Sequence, residues 1–342
     1  MNWKIPLFKI YSDEEDMASI ASILERRKNW ASGPEIHDFE MGLTDYIGSK
    51  YAVLFNSGTS ALFAAMIAYG LEKGDEVIVP SFTFIATANA PLFVGAKPVF
   101  AEIEEDSYGL DPEDVSARIT SRTKAIMPIH YGGCPCRIKE IAQIAQDHDL
   151  ILLEDAAEAL GARVGDKRVG SFGDSSILSF CQNKIITTGE GGAVVTNSKS
   201  ISEKLALICS QGRRENSAYF DSSAPGDYIE LGYNFRMASM AAALGISQLD
   251  KIDKITEWRR ARAAYMGSKL SRTEEIEVPK EPDGSFHVYQ MFTIRINGGE
   301  GMRDALMNYL AAEGIMTKVY FPPVHLTKFY KQLGYNKGDL PR

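Results

Sequence analysis

The sequence predicts an α/β protein, with a large unit on a mostly parallel sheet followed by a smaller α+β unit. Three observations carry this expectation. From Tyr51 onward, short aliphatic runs alternate with helical segments in the rhythm of strand–helix–strand units. The runs are rich in Val, Ile and Leu without polar alternation, as strands covered on both faces require. The longest apolar stretch, 61–71, is too short to cross a bilayer, and the start MNWKIPLFKIYSDEED lacks a signal-peptide core.

The elements follow in order. Residues 52–55 read as a strand, then a turn and a helix over 60–69. Residues 76–79 give a second strand, 84–93 a helix-like segment and 98–100 a short strand. Asp111-Pro112 places a capping residue and a first-turn proline before a helix at 113–119. Residues 124–129, a helix at 138–148 and the apolar run 150–153 continue the alternation, and 176–180 and 193–196 are strand-like. One long helix is expected over about 240–270, its charged half (250–262) solvated. Residues 288–296, 302–312 and 317–321 then read as strand, helix and strand. The expected division is a large domain over 1–250 and a small one over 251–342.

A chain of 342 residues can bury a substantial core and accommodate two domains. With 45% hydrophobic and 24% charged residues, its composition is that of a soluble globular protein. A net charge of −8 argues against general affinity for nucleic-acid phosphates. Cys134, Cys136, Cys181 and Cys209 fit neither a zinc spacing nor a disulfide scaffold. They read as reduced thiols of a cytoplasmic protein with no metal site and no nucleic-acid or membrane partner.

Four segments carry chemistry. Asn56-Ser57-Gly58-Thr59-Ser60-Ala61 joins a strand to a helix, where free amides and the helix dipole favour a phosphate. Taken alone, it is an ordinary helix cap. Glu154-Asp155-Ala156-Ala157-Glu158 follows an apolar strand, at the strand end where open α/β sheets bind ligands. A metal ligand, a ribose contact or a plain cap would also account for it, while the two alanines let a flat ring approach the backbone. Ser179-Phe180-Cys181-Gln182-Asn183-Lys184 precedes Thr188-Gly189-Glu190-Gly191-Gly192. A lone lysine is usually a solvated charge, yet one held in a polar pocket anchors an aldehyde as a Schiff base. Gly232-Tyr233-Asn234-Phe235-Arg236-Met237 enters the expected long helix and, by itself, reads as a cap with a surface arginine.

Together the four meet the needs of one cofactor, pyridoxal 5'-phosphate (PLP). It requires a lysine for its aldehyde, an acid to keep the pyridine nitrogen protonated, and a phosphate cradle. Lys184, Asp155 and the 57–60 turn supply these, the aspartate through a charge-assisted hydrogen bond. Lys184, once displaced, is the natural general base for proton transfer. A nucleotide-binding oxidoreductase is a poor alternative, because no G-x-G-x-x-G opens the first helix after a strand.

From about Trp30 onward the chain resembles the DegT/StrS family of nucleotide-sugar aminotransferases. The resemblance rests on Gly33-Pro34, 56–62, Pro80-Ser81-Phe82-Thr83-Phe84, Pro128-Ile129-His130, 154–158, Ser179-Phe180 with Lys184, 189–192 and 232–237. It implies an aspartate-aminotransferase-like fold and a homodimer with shared active sites. It further implies that Lys184 and Asp155 are catalytic and that Glu158 lies near the cofactor's ring hydroxyl. Phe84 would stack on the ring, and Gly58, Thr59 and Ser179 would hold the phosphate with Asn234 of the partner subunit. His325 would face the nucleotide-sugar.

Asn183-Lys184-Ile185-Ile186-Thr187-Thr188 is most similar to the perosamine-synthase branch. That implies transfer from glutamate to a 4-keto-6-deoxy sugar on GDP, UDP or dTDP, of the kind used in O-antigens, other glycans and antibiotics. A 3-keto sugar, or a non-catalytic regulatory role on the same fold, is the alternative. Dehydratase relatives carry histidine where this chain has Lys184, which favours transamination. Family members usually continue past the point where this chain stops, Gly338-Asp339-Leu340-Pro341-Arg342. The small domain is therefore expected to be truncated and to lack some substrate-side contacts.

Overall fold

The computed structural model describes residues 3–213 and 227–340. Helices α1 (Glu14–Arg26) and α2 (Pro34–Ile47) precede strand β1 (Tyr51–Phe55) and helix α3 (Gly58–Ala68). Then come β2 (Glu76–Pro80), α4 (Ile85–Phe93), β3 (Lys97–Ala101), α5 (Pro112–Ala117), β4 (Thr123–Ile126), α6 (Ile138–Asp147) and β5 (Ile151–Asp155). Two short strands, β6 (Arg163–Val164) and β7 (Lys167–Arg168), lead to β8 (Ser175–Ser179), β9 (Gly192–Thr196) and α7 (Lys199–Cys209). The rest comprises α8 (Ser239–Leu249), α9 (Ile252–Leu270), β10 (Ile276–Glu277), β11 (Ser285–Phe286), β12 (Arg295–Ile296), α10 (Gly299–Ala312) and α11 (Lys328–Gln332).

The central sheet runs β1-β9-β8-β5-β4-β2-β3. Four neighbouring pairs are parallel, and β9 is antiparallel to both β1 and β8. Six strands therefore point one way, and their carboxyl ends share one edge. The reversed strand brings its first residue, Gly192, to that same edge.

Successive residues of each strand feed opposite faces. Val53, Phe55, Val77, Val79, Leu153 and Ile177 pack with the alanine-rich α3 and α4 on one side. Ala52, Leu54, Leu178 and Val195 pack with Phe39, Leu43 and Ile47 of α2 on the other. Farther along that second side, Ile78, Ile126 and Leu152 pack with Ile138 and Ile141 of α6. Both faces are covered, so the strands have no polar face to alternate with.

Two expectations are corrected. The helix expected over 240–270 is two helices, broken where Asp250 caps α8 and Lys251 begins α9. Lys251 is buried rather than solvated: its ammonium contacts Asp13, Asp16 (3.0 Å) and Ser247 (3.1 Å). Turning a lysine inward to two carboxylates of the α1 start fixes the break. The second correction concerns 288–296 and 317–321, which form no long strands; within them only Arg295–Ile296 forms a short strand, paired with β10. The amides of Val288 and Met291 are spent on Gly133 and Gly132 of the large unit (3.1 and 3.0 Å), which leaves no ladder to build. Residues 324–340 also return to the sheet, where Val324, Tyr330 and Leu340 join its core.

Gly245 of α8 faces α2, and a Cβ there would stand 2.6 Å from Cζ of the fully buried Phe39. At an exposed helix position, glycine to alanine would stabilise by about 1 kcal/mol. Here overpacking wins, and Gly245→Ala is expected to lower stability by roughly 1–3 kcal/mol, read from the urea midpoint.

His287 is buried beside Glu281 and Arg260, and burial pushes its imidazole down to about 4. The folded ring is therefore neutral where the unfolded one, near 6.5, still takes a proton. Stability should be full above pH 6.5 and fall by roughly 3 kcal/mol as pH drops towards 4. His287→Asn should flatten that limb in a pH series of denaturation curves.

Candidate active site

The sheet register assembles the cradle. Gly192 sits opposite Phe55 on one side and Ser179 on the other. This brings the turn after β1 against the end of β8. A Cβ on Gly192 would stand 2.6 Å from the Gly58 amide nitrogen and the Ser57 carbonyl carbon. Glycine is required there because backbone packs on backbone. A Cβ on Gly58 would stand 3.1 Å from the Ser179 Cβ, so the first turn of α3 and Ser179 touch. Ser57 caps that helix, its hydroxyl accepting the Ser60 amide at 3.0 Å. The Gly58 and Thr59 amides, in the first turn, have no intrahelical acceptor, and the helix dipole adds positive potential. An anion is the fitting partner, with the Thr59 and Ser179 hydroxyls beside it.

Asp155 ends β5 and lies two residues behind Ser179 across the parallel β5–β8 pairing, opposite Ile177. It is buried. Thr87 Oγ1 donates to Asp155 Oδ2 at 2.7 Å and the Ala157 amide to Oδ1 at 3.2 Å. Burial raises the carboxyl above its ordinary range, while Thr87, Ala157, Lys184 and His130 pull it back. A protonated ring nitrogen is the kind of partner that further favours the carboxylate.

Lys184 Nζ lies 3.4 Å from Glu158 Oε1, with the lysine 12% and the glutamate 3% exposed. The other Glu158 oxygen accepts the Gly132 amide at 3.0 Å. Lys184 also acts on Asp155 through its charge. The loop is pinned from several sides. The Lys184 and Thr188 amides donate to the Cys181 and Phe180 carbonyls (3.0 and 2.9 Å), and Gln290 Nε2 donates to the Asn183 carbonyl. Phe84 caps α4 and is half exposed, with its ring centroid 5.9 Å from that of Phe321. Thr87, one turn on, reaches Asp155, so Phe84 stands at the rim of the same pocket.

Asn234 is exposed, and its carbonyl accepts from the Asn56 side chain (3.4 Å) at the start of the phosphate turn of its own chain. His325 makes no hydrogen bond to Lys184, Asp155, Glu158 or Ser179. It is buried, its Nδ1 lies 2.5 Å from the Ser81 hydroxyl, and its ring centroid is 6.0 Å from that of Phe100.

The residues fit PLP: amides for a phosphate, a buried carboxylate for a ring nitrogen, and an enclosed primary amine on adjacent strand ends. A model of the DegT/DnrJ/EryC1/StrS aminotransferase family matches residues 11–342. The chain belongs to this family. It is an aminotransferase, an enzyme of the aspartate-aminotransferase-like fold with PLP as its cofactor. Among its relatives is a GDP-perosamine synthase of Caulobacter vibrioides, 39% identical over 89% of this chain and 81% of that one. A UDP-N-acetyl-3-dehydro-alpha-D-glucosamine 3-aminotransferase of Acidithiobacillus ferrooxidans is 35% identical over 93% and 82% of the two chains. The solved structure of S. venezuelae DesV superposes with a TM-score of 0.88 at 36% identity, covering 96% of this chain and 85% of that one.

Several residues of this aminotransferase gain a place that sequence alone did not give them. The Cys136 amide lies 3.2 Å from His130 Nδ1, and His130 Nε2 lies 3.1 Å from the Glu154 carboxylate. Glu154 also accepts the amides of Gly170, Phe172 and Gly173 at 2.6–2.9 Å, a scaffold carboxylate beside a functional one. Thr83 belongs to the 80–84 segment and Thr87 to α4. Their spacing of four, one helical turn, was the signal available.

Gly192→Ala is expected to displace the Ser57–Gly58 turn and to weaken PLP uptake by the apo-protein roughly tenfold, about 1.4 kcal/mol. Titration of the apo-protein with PLP, beside a melting curve, measures this.

Proposed function

We propose that this enzyme transfers an amino group from glutamate to a nucleotide-linked 4-keto-6-deoxy sugar, as a cytoplasmic homodimer with shared active sites. The observation that supports the chemistry is the gathering of the phosphate turn, Asp155 and Lys184 on one edge of the sheet. PLP, when bound, supplies the electron sink that makes protons on the substrate's amine-bearing carbon labile. Asp155 holds the ring nitrogen protonated, and the amides of Gly58 and Thr59, the Ser179 hydroxyl and Asn234 of the partner subunit hold the phosphate. Lys184 is the anchor for the aldehyde. Its Nζ, when free, takes a proton from one carbon and returns it to another, with Glu158 at 3.4 Å orienting the ammonium. Phe84 covers one face of the ring.

The sugar is assigned by likeness to the GDP-perosamine synthase, and its 4-keto position rests on the resemblance of residues 183–188 to the perosamine-synthase branch. The likeness to a 3-aminotransferase supports the 3-keto alternative. A panel of 3- and 4-keto nucleotide sugars with glutamate, read by product mass, decides between them. A gain of one amino group on a 4-keto-6-deoxy sugar is expected. Lys184→Ala should bind no cofactor covalently and turn over at least about a thousandfold slower, since one residue serves as both anchor and proton carrier.

A further inference from the structure

Thr87 is fully buried, and its single hydroxyl proton is committed to Asp155 Oδ2 at 2.7 Å. Thr83, also buried, places its Oγ1 2.7 Å from Thr87 Oγ1. A hydroxyl has one proton to give and two lone pairs to receive with. The proton between the two threonines therefore belongs to Thr83. The chain Thr83 to Thr87 to Asp155 runs in one direction only while Asp155 is ionised. A protonated Oδ2 would turn it round.

The geometry points to a positioning relay: Thr83 and Thr87 keep Asp155 ionised and aimed at the cofactor's ring nitrogen. This rests on the reading of Asp155 as the partner of that nitrogen and adds two residues of α4 and its entry to the assembly. Burial alone works against a charged Asp155, and Thr87 is the largest opposing influence. The other charged or titratable groups acting on Asp155 are Lys184, from the loop after β8, and His130, from the segment after β4, whose Nε2 is on Glu154. Among the described residues, neither hydrogen-bonds to Thr83 or Thr87. The relay is also mechanical. Thr87 lies on the turn that Phe84 caps, so the bond to Asp155 ties the aromatic rim to the strand end.

Thr87→Val keeps the shape and removes the donor. The apo-variant is expected to bind PLP roughly ten- to a hundredfold more weakly, the scale of a hydrogen bond to a charged group. Without the donor, Asp155 takes up a proton at higher pH, so the acid limb of the kcat–pH profile should move upward. Thr87→Ser should stay within about threefold of the unsubstituted protein on both measures, and Thr83→Val should show a smaller change of the same sign. In an Asp155→Asn background, Thr87→Val should weaken PLP binding no further. The relay is overturned if Thr87→Val binds PLP like the unsubstituted protein, if Thr87→Ser is as impaired as Thr87→Val, or if the Thr87 and Asp155 effects simply add. Failure of the underlying reading is seen elsewhere, in an unsubstituted protein that takes up no PLP or an Asp155→Asn variant that binds it unchanged.

Discussion

A carboxylate buried at the tip of a strand is unstable unless something charged or protic meets it, and the active site is arranged around that constraint. Asp155 sits where β5 ends, on the face covered by α3 and α4. It is almost shut off from water, so its partners come mainly from the protein and from what the protein binds. Thr87 comes from α4, the Ala157 amide from the following turn, and Lys184 from the loop after the neighbouring strand. Each arrives from a different connection, and all of those connections leave the same edge of the sheet.

Glu154 and Asp155 show how one strand divides two tasks. They are consecutive, so the pleat sends them to opposite faces. Glu154 receives donors to both oxygens from three backbone amides and His130, and nothing about it is left for a ligand. It stitches the 170–173 loop to the sheet. Asp155 receives fewer donors and faces the cradle. The same residue chemistry thus serves as scaffold on one side and as site on the other, and the difference lies in how many donors the surroundings commit.

The reversed strand β9 is the second device. Had it run with its neighbours, its first residue would lie at the far edge of the sheet. Because it is antiparallel to β1 and β8, Gly192 enters beneath the phosphate turn and permits a backbone contact no side chain would allow. Gly192, the Ser57 cap and Ser179 are thus three parts of one cradle drawn from distant stretches of chain.

The amino-acid sequence by itself determined the local matters: the strands of the large unit, the Ser57 and Asp111 caps, and which residue types could meet a phosphate, a ring nitrogen and an aldehyde. These are legible because they depend on neighbours a few residues away, where periodicity and capping act. The α1 and α2 helices, the break at Lys251 and the missing strands near 288 and 317 were decided by tertiary structure. Lys251 is charged, and charge reads as solvent exposure until Asp13 and Asp16, more than two hundred residues earlier, are brought to it. The amides near Val288 and Met291 likewise had a ladder open to them in principle, and the carbonyls of Gly132 and Gly133 took them instead. In each case the deciding partner lies far along the chain, where no local pattern reaches.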